Sequence, residues 1–564
     1  MTSKLELTWP GKDEPVKPEA RILIENTELS NVSQDPAAEN MLIHGDNLMA
    51  LKALEHQYAG KVKCIYIDPP YNTGSAFEHY DDNFEHSTWL NLMKPRLELL
   101  RTLLSDDGII FVQIDDNEQA YLKVLMDEIF GRDKFVANII WRKKAGGGQD
   151  SEYLIIEHEY IVVYRKNSWK IKDERVSPNE TDFNKIINGR HASLTKLEKW
   201  GSSPYKEDRP SLYYSIKDPD GNDFFPKAPD GRDGRWRKKP ETLDAEHIKW
   251  EKRNERWIPY EINYFDEAEC KKLKTRSIWV DYGNNTEAAK EIKSLFFAKA
   301  FDTPKPERLI ERILQIATNP GDLVLDSFLG SGTTAAVAHK MGRRYIGIEI
   351  GAHAYTHCKT RLDKVIAGED LGGITKSVNW NGGGGYRFYE LAPSLIDVDE
   401  YGQAKINKAY TAEMLAKAIA LHEGFTYSPD ETLFWKQSKG SEKSYLYVTP
   451  SFVSRDLVES IHNTMNSDEY LIIACPACDS GIKKPNITLK KIPHAVLGRC
   501  DFGRSDYNLN VRPSEGFNDE DDILDDFELP DDEEDGAEVK ADCVQQDSEQ
   551  LSLDFEDMTG SGEK

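Results

Sequence analysis

The sequence predicts an α/β protein built on a doubly wound, mostly parallel sheet, and three observations carry that expectation. Apolar strand-like runs alternate with helix-period runs from Met41 to about residue 169, and again from about 276 to 350. Two of those strands end in turns rich in chemistry, "IDPPYN" at 67–72 and "LDSFLGSGTT" at 325–334. The alternation is interrupted once, over about 170–275, by a stretch holding the turn clusters "DPDGND" and "PDGRDGRWRKKP".

Residues 1–40 lack a clear period and read as an N-terminal arm. "MLIHGDNLMALKAL" then gives strand, turn and helix, and "KVKCIYI" a buried strand. "STWLNLMKPRLELLRTLL" has helical spacing, with Leu90, Met93, Leu97 and Leu100 on one stripe. "GIIFVQI" is a strand, "NEQAYLKVLMDEIFG" a helix, and "FVANIIW" and "EYIVVYRK" are two strands close enough to pair. Beyond the interruption come helices in "TEAAKEIKSLF" and "PKPERLIERILQIA", the strand "DLVLDSF", the helix "TTAAVAHKM" and the strand "RYIGIEI". The expected organisation is an arm (1–40), one half of an α/β domain (41–169), an insertion (170–275), the other half (276–391), a separate mixed C-terminal domain for docking or dimerisation (392–512) and an acidic disordered tail (513–564).

Composition narrows the class. The chain of 564 residues is 39% hydrophobic and 30% charged, ordinary for a soluble globular protein. It has no apolar run of membrane-spanning length and no secretory leader, and its seven cysteines are sparse. These features predict a cytoplasmic protein with reduced thiols and no membrane partner. The net charge of −26 argues against a nucleic-acid partner only at first sight. The segment Ser514–Lys564 holds 21 acidic and 2 basic residues, which leaves about −7 for the body. Such a tail repels itself into disorder, as a solubilising segment or, through Leu524, Phe527 and Leu529, as an acidic docking segment.

The glycine turn comes first in the chemistry. Asp326 ends a strand, and Gly330 and Gly332 precede a helix, so a ligand can approach the backbone and place an anionic group at the helix start. The spacing matches neither the dinucleotide fingerprint nor a P-loop, and there is no lysine for phosphate. Glu349 ends the next strand, where an acid can accept both hydroxyls of a ribose. A ligand with a ribose and a carboxylate but no phosphate fits, and S-adenosyl-L-methionine is such a molecule.

Asp68-Pro69-Pro70-Tyr71 poses the second problem. An exocyclic amine of a nucleobase is a poor nucleophile, because its lone pair is delocalised into the ring. Two acceptors aimed at its N–H bonds draw the lone pair toward tetrahedral geometry. The Asp68 carboxylate and the Pro69 carbonyl can be those acceptors, and the Tyr71 ring can stack on the base. A sulfonium-activated methyl needs only positioning and charge, so no metal is required, and no metal-ligand cluster is evident.

Asp-Pro-Pro-Tyr followed far downstream by Phe-x-Gly-x-Gly resembles the amino-methyltransferases of DNA, in the permuted motif order called the beta class. Together with "HGDNLMALKAL", "FVQIDDNE", "NIIWRKKAGGG", "HEYIVVYRKN", "GNNTEAAKEIKSLF" and "TPKPERLI", the chain most resembles the modification subunit of Type III restriction–modification systems. The likeness is strong over about residues 40–170 and 275–355. It implies a Rossmann-like S-adenosylmethionine-dependent methyltransferase sheet and transfer to adenine N6. Asp68, Pro69, Pro70 and Tyr71 would form the target-base site, with Asn72 beside them. Asp326, Phe328, Gly330 and Gly332 would line the methionine part of the cofactor, Glu349 would take the ribose, and Asp46 the adenine amino group. Thr303 and Lys305, in "TPKP", would close over the methionine. Family members often carry a second Phe or a Pro where this chain has Ser327. The resemblance also implies duplex DNA as substrate, a homodimer, and a separate helicase–nuclease restriction subunit. Other modification systems, and RNA or protein amide methyltransferases on the same fold, are the alternatives.

The insertion is the expected target-recognition region. "GRDGRWRKKP" and "HIKWEKRNERW" interleave basic residues with tryptophan, so Arg235, Trp236, Arg237 and Lys238 could contact DNA. A compact core that uses the tryptophans, with a solvated basic face, explains the same residues equally well. "CPAC" at 475–478 follows an apolar strand and reads as core thiols. No P-loop and no usual nuclease motif is present, so translocation and cleavage would need another polypeptide.

Overall fold

In the computed structural model the described residues are 6–14, 16–72, 86–144, 154–171, 174–176, 179–253, 256–268, 271–296, 301 and 303–502. The chain divides into two units, Met1–Val511 and Arg512–Lys564. The second unit, with the acidic tail, lies outside the described residues.

Ten strands form the central sheet. They are β1 (Leu23–Asn31), β2 (Met41–His44), β3 (Val62–Ile67), β4 (Leu104–Ile114), β5 (Phe135–Arg142), β6 (His158–Arg165), β7 (Ile278–Trp279), β8 (Leu323–Asp326), β9 (Arg344–Glu349) and β10 (Tyr386–Leu391). Their spatial order is β1-β10-β2-β9-β8-β3-β4-β6-β5-β7. The six strands from β10 to β4 are mutually parallel, with β1 and β6 antiparallel to their neighbours. The register Val324↔Cys64 and Leu325↔Ile65 makes β8 and β3 direct neighbours, although about 250 residues of sequence separate them.

Alternation along the strands covers both faces. Ile65, Ile67, Ile110, Val112, Ile346 and Ile348 pack with helices α1 (Asn47–Tyr58), α2 (His86–Leu103) and α3 (Gln119–Phe130). Cys64, Tyr66, Ile109, Phe111, Val324 and Tyr345 face α5 (Glu307–Ala317), α6 (Thr333–Lys340) and α7 (Thr360–Ala367) on the other side. A helix α4 (Asn285–Phe296) precedes α5. The stripe expected in α2 is buried in full, Leu90, Met93, Leu97 and Leu100 being at most 2% exposed. Parallel strands buried on both faces read as continuous apolar runs, which is why they were visible in the sequence.

Two expectations about organisation are corrected. The first forty residues are not a loose arm: β1 pairs antiparallel with β10, and Trp9 is buried, donating its indole N–H to Asn91 Oδ1 at 2.7 Å. Nor is the C-terminal region separate from the body. Ile22 is buried in the same cluster as Leu395, Leu415 and Val448, and Glu19 Oε1 accepts the Leu395 N–H at 2.7 Å. That region is a five-stranded mixed sheet over 426–491 with helices Ala412–Glu423 and Arg455–Thr464. Cys475 is buried at the end of its strand Tyr470–Cys475, and burial pushes its thiol up to about 11.

The insertion has its own sheet, antiparallel, ordered 248–253, 256–264, 190–196, 185–187. It leaves and rejoins the body through a two-stranded stem, Glu174–Val176 against Lys271–Leu273.

Candidate functional site

The permuted sequence places four acidic residues along one edge of the sheet. In spatial order β2, β9, β8 and β3 are neighbours, and their carboxyl ends carry Asp46, Glu349, Asp326 and Asp68. In open α/β sheets this edge is where ligands bind.

Asp68 follows β3 immediately, and its side chain is 21% exposed, within reach of a ligand. Tyr71 donates its hydroxyl to Asp68 Oδ1 at 2.7 Å, and the same oxygen lies 3.0 Å from Glu159 Oε2. Lys305 Nζ donates to Asp68 Oδ2 at 2.7 Å. Burial raises the Asp68 carboxyl above the usual range against the pull of Lys305. The proline turn is fixed from α2, where the buried Trp89 donates its indole N–H to the Pro70 carbonyl at 2.8 Å. Pro69 is buried and Pro70 half-buried. Asn72 takes a positive φ of 59° and donates its amide to Glu118 Oε1 at 2.7 Å, so it is held by the scaffold beside the site.

Asp326 is buried, accepts the Phe328 N–H at 3.0 Å, and is pushed up to about 7 by burial. Phe328 packs on the same core as Tyr71. Glu349 accepts the Gly330 N–H at 2.8 Å and the Gly351 N–H at 2.9 Å, so one lone pair of each oxygen clamps the turn. A carboxylate has about four acceptor sites, so it can take more than two partners. Asp46 caps α1, accepting from the Leu48 and Met49 N–H groups through Oδ1 at 2.8 and 3.3 Å. Its Oδ2 is buried and without a hydrogen-bond partner. A buried acceptor left unpaired is costly, so this oxygen is suited to an amino group of a ligand.

The two glycines differ in their reasons. Both have positive φ, 56° at Gly330 and 83° at Gly332. A Cβ at Gly330 would meet only the Phe301 ring, at 3.3 Å. A Cβ at Gly332 would meet the Cys358 backbone at 3.1 Å, so Gly332 serves helix packing and the cap of α6.

The resemblance implies Lys305 at the methionine; in the structure it is buried with its ammonium on Asp68. Thr303, two residues earlier, is exposed. In the insertion, Trp236 is fully buried, donating to the Tyr214 carbonyl at 2.8 Å, and Arg235 is 8% exposed with its guanidinium on the Ser203 carbonyl at 2.7 Å. Both belong to the core of the insertion and cannot touch DNA as expected. Arg237 is exposed and Lys238 half-buried, paired with Glu261. Glu159, Gln113 and Trp89 were missed as site residues. Glu159 stood in the quoted run "HEYIVVYRKN", but nothing local marks a strand acid as facing a turn 88 residues away. Among the described residues no cluster of His, Cys, Asp and Glu could hold a metal ion.

A family model described as DNA methylase matches residues 62–360. The chain is 35% identical over 436 residues to a protein of Haemophilus influenzae named "Probable type III restriction-modification enzyme HindVI Mod subunit", covering 65% of this chain and 56% of that one. It is 32% identical over 376 residues to the type III restriction-modification enzyme StyLTI Mod subunit of Salmonella typhimurium, covering 59% and 56%. It is 32% identical over 335 residues to the type II methyltransferase M.KpnI of Klebsiella pneumoniae, covering 55% and 79%. The chain thus spans about half the length of the two Mod subunits it matches.

Proposed function

We propose a function from one premise: this chain belongs to the N6/N4 DNA methylase family, whose model spans its residues 62–360. It transfers a methyl group from S-adenosyl-L-methionine to adenine N6 in duplex DNA, as the modification subunit of a Type III restriction–modification system. The observation that carries this reading is the adjacency of β3 and β8, which sets Asp68 and the Asp326–Gly332 turn side by side. The names of the two Mod subunits support the system, and Asp68 at the first catalytic position implies adenine through the family resemblance.

The residues fit the cofactor. The unpaired Asp46 Oδ2 would take the adenine amino group, Glu349 the ribose, and the Asp326 turn the methionine. The cofactor supplies a methyl group already activated by a positive sulfur. The protein's own work is to bind and orient the base. The target adenine leaves the duplex, stacks on Tyr71, and offers its two N–H bonds to Asp68 and the Pro69 carbonyl. Its lone pair then faces the methyl group. The insertion reads the DNA, and the partners are a second copy of the chain and a separate restriction subunit. No described helix is long and apolar enough to cross a membrane, and the enzyme acts in the cytoplasm, where the DNA is.

The test is transfer of labelled methyl to duplex DNA, RNA and protein, with digestion of the DNA to nucleosides. Label in N6-methyladenosine from DNA supports the reading. Label confined to RNA or protein, or in N4-methylcytosine, overturns it.

Asp326 gives a pH dependence. Its folded value lies above the ordinary one, so its contribution to stability is present in acid and lost as pH rises through about 7. A bound cation favours the ionised carboxyl. Affinity for S-adenosylmethionine should therefore rise several-fold between about pH 6 and 7.5, and Asp326→Asn should flatten that rise in calorimetric titrations.

A further inference from the structure

Each oxygen of Asp68 already accepts one hydrogen bond before any base arrives. Its Oδ2 accepts from Lys305 and its Oδ1 from Tyr71, each at 2.7 Å. The Tyr71 hydroxyl has one proton, yet it lies within hydrogen-bond distance of two carboxylates, Asp68 and Glu159. Glu159 is 5% exposed and braced on β6 by the Gln113 amide at 2.6 Å and the Lys143 ammonium at 3.3 Å. Lys305 also lies 3.9 Å from Glu159. One buried ammonium and one phenol thus stand between two acids, and only one of the acids faces the base.

We propose that Lys305 and Glu159 are positioning residues for methyl transfer: Lys305 anchors Oδ2 of Asp68 so that Oδ1 faces the target amine, and Glu159 takes over the Tyr71 hydroxyl when the base displaces it from Oδ1. This rests on the methyltransferase reading above. The hydroxyl needs to swing only from one acceptor to the other, so no buried polar group is left unpaired when the base binds. Tyr71 thus rests on the oxygen that the base amine would use.

The groups facing Asp68 are Lys305 from the segment before α5, Glu159 from β6, Tyr71 from its own turn, Tyr66 from β3 and Asp326 from β8, with Lys143 behind Glu159. Burial and the Glu159 charge raise the Asp68 carboxyl, and Lys305 opposes them. Burial works against Glu159 too, but Lys305, Lys143 and the Gln113 and Tyr71 hydrogen bonds together hold that acid below its usual range. Two substitutions must therefore move Asp68 in opposite directions.

The experiment is single-turnover methyl transfer to duplex DNA against pH. In Lys305→Met the acid limb should move up by about one unit or more, with the maximal rate down at least tenfold and the affinity for S-adenosylmethionine unchanged. Lys305→Arg should restore the limb. In Glu159→Gln the limb should move down, while the KM for DNA rises because Tyr71 holds its cap on Asp68 more firmly. If Lys305→Met does not fold, Lys305→Gln and Glu159→Gln carry the same comparison. A parental limb in the Lys305 variant, or limbs that shift the same way in both, overturns the inference. So does a tenfold loss of cofactor affinity in Lys305→Met, which would return Lys305 to the cofactor side. An inactive parental chain would overturn the functional reading itself, and this inference with it.

Discussion

Replacing Asp68 with alanine will lower methyl transfer about a thousandfold and leave S-adenosylmethionine binding within a few-fold of the parental value. The carboxylate sits at the end of β3, whereas the proposed cofactor residues Asp46, Asp326 and Glu349 end or follow other strands. The loss is thus a loss of base orientation. The substitution has a second cost, because it leaves the buried Lys305 with Glu159, at 3.9 Å, as its remaining acidic neighbour. Asp68→Asn separates the two effects. It keeps the shape and one acceptor oxygen but removes the charge, so it should fold like the parent and still transfer methyl at least a hundredfold more slowly. Calorimetry for the cofactor and label transfer for the reaction are measured on the same preparations. Near-parental turnover in either variant would remove Asp68 from the mechanism.

What the sequence disclosed and what it withheld follow from the range of the interactions. Strands β3 and β8 announced themselves, because a strand buried on both faces is a continuous apolar run and both end in turn residues that no ladder tolerates. The places of Asp68, Asp326 and Gly330, at or just past strand ends, were legible for that reason. Gly332 was legible as a glycine, but its reason was not, since the clash it avoids is with Cys358, which belongs to another turn of chain. Lys305 was placed by its position before the cofactor strand. Its partner Asp68, 237 residues away, is set by the neighbouring of β8 and β3, which no local pattern encodes. Strand β1 was hidden because it is an edge strand, nowhere fully buried, and shows no clean alternation. In the insertion, composition could not separate an aromatic face from an aromatic core. The structure divides the tryptophans, with Trp236 fully buried and Trp200 50% exposed beneath the Lys196 ammonium, which lies 3.5 Å from its ring centre.

That division yields the other large effect. Trp236→Ala will cost the insertion about 3–5 kcal/mol, the range for truncating a large buried aromatic. Trp236 is fully buried against Phe224 and Tyr214, and its indole N–H holds the Tyr214 carbonyl. Among the described residues the buried cluster of the insertion's own sheet is small, formed by Ala192, Ile262 and Tyr264. A loss of that size exceeds what so small a core can absorb. Because the insertion joins the body through the stem at 174–176 and 271–273, its unfolding should spare the central sheet. The expected result is a chain that binds S-adenosylmethionine normally, gains an early protease-sensitive site within 179–268, and loses DNA binding and methyl transfer together. Arg237→Ala gives the contrasting surface effect. It removes one exposed charge, so it should leave protease resistance intact and weaken DNA binding modestly, with a salt dependence shallower by about one ion. If Trp236→Ala loosens the insertion yet methylates duplex DNA with the parental KM, the insertion does not read the DNA, and recognition must lie on the body of the sheet.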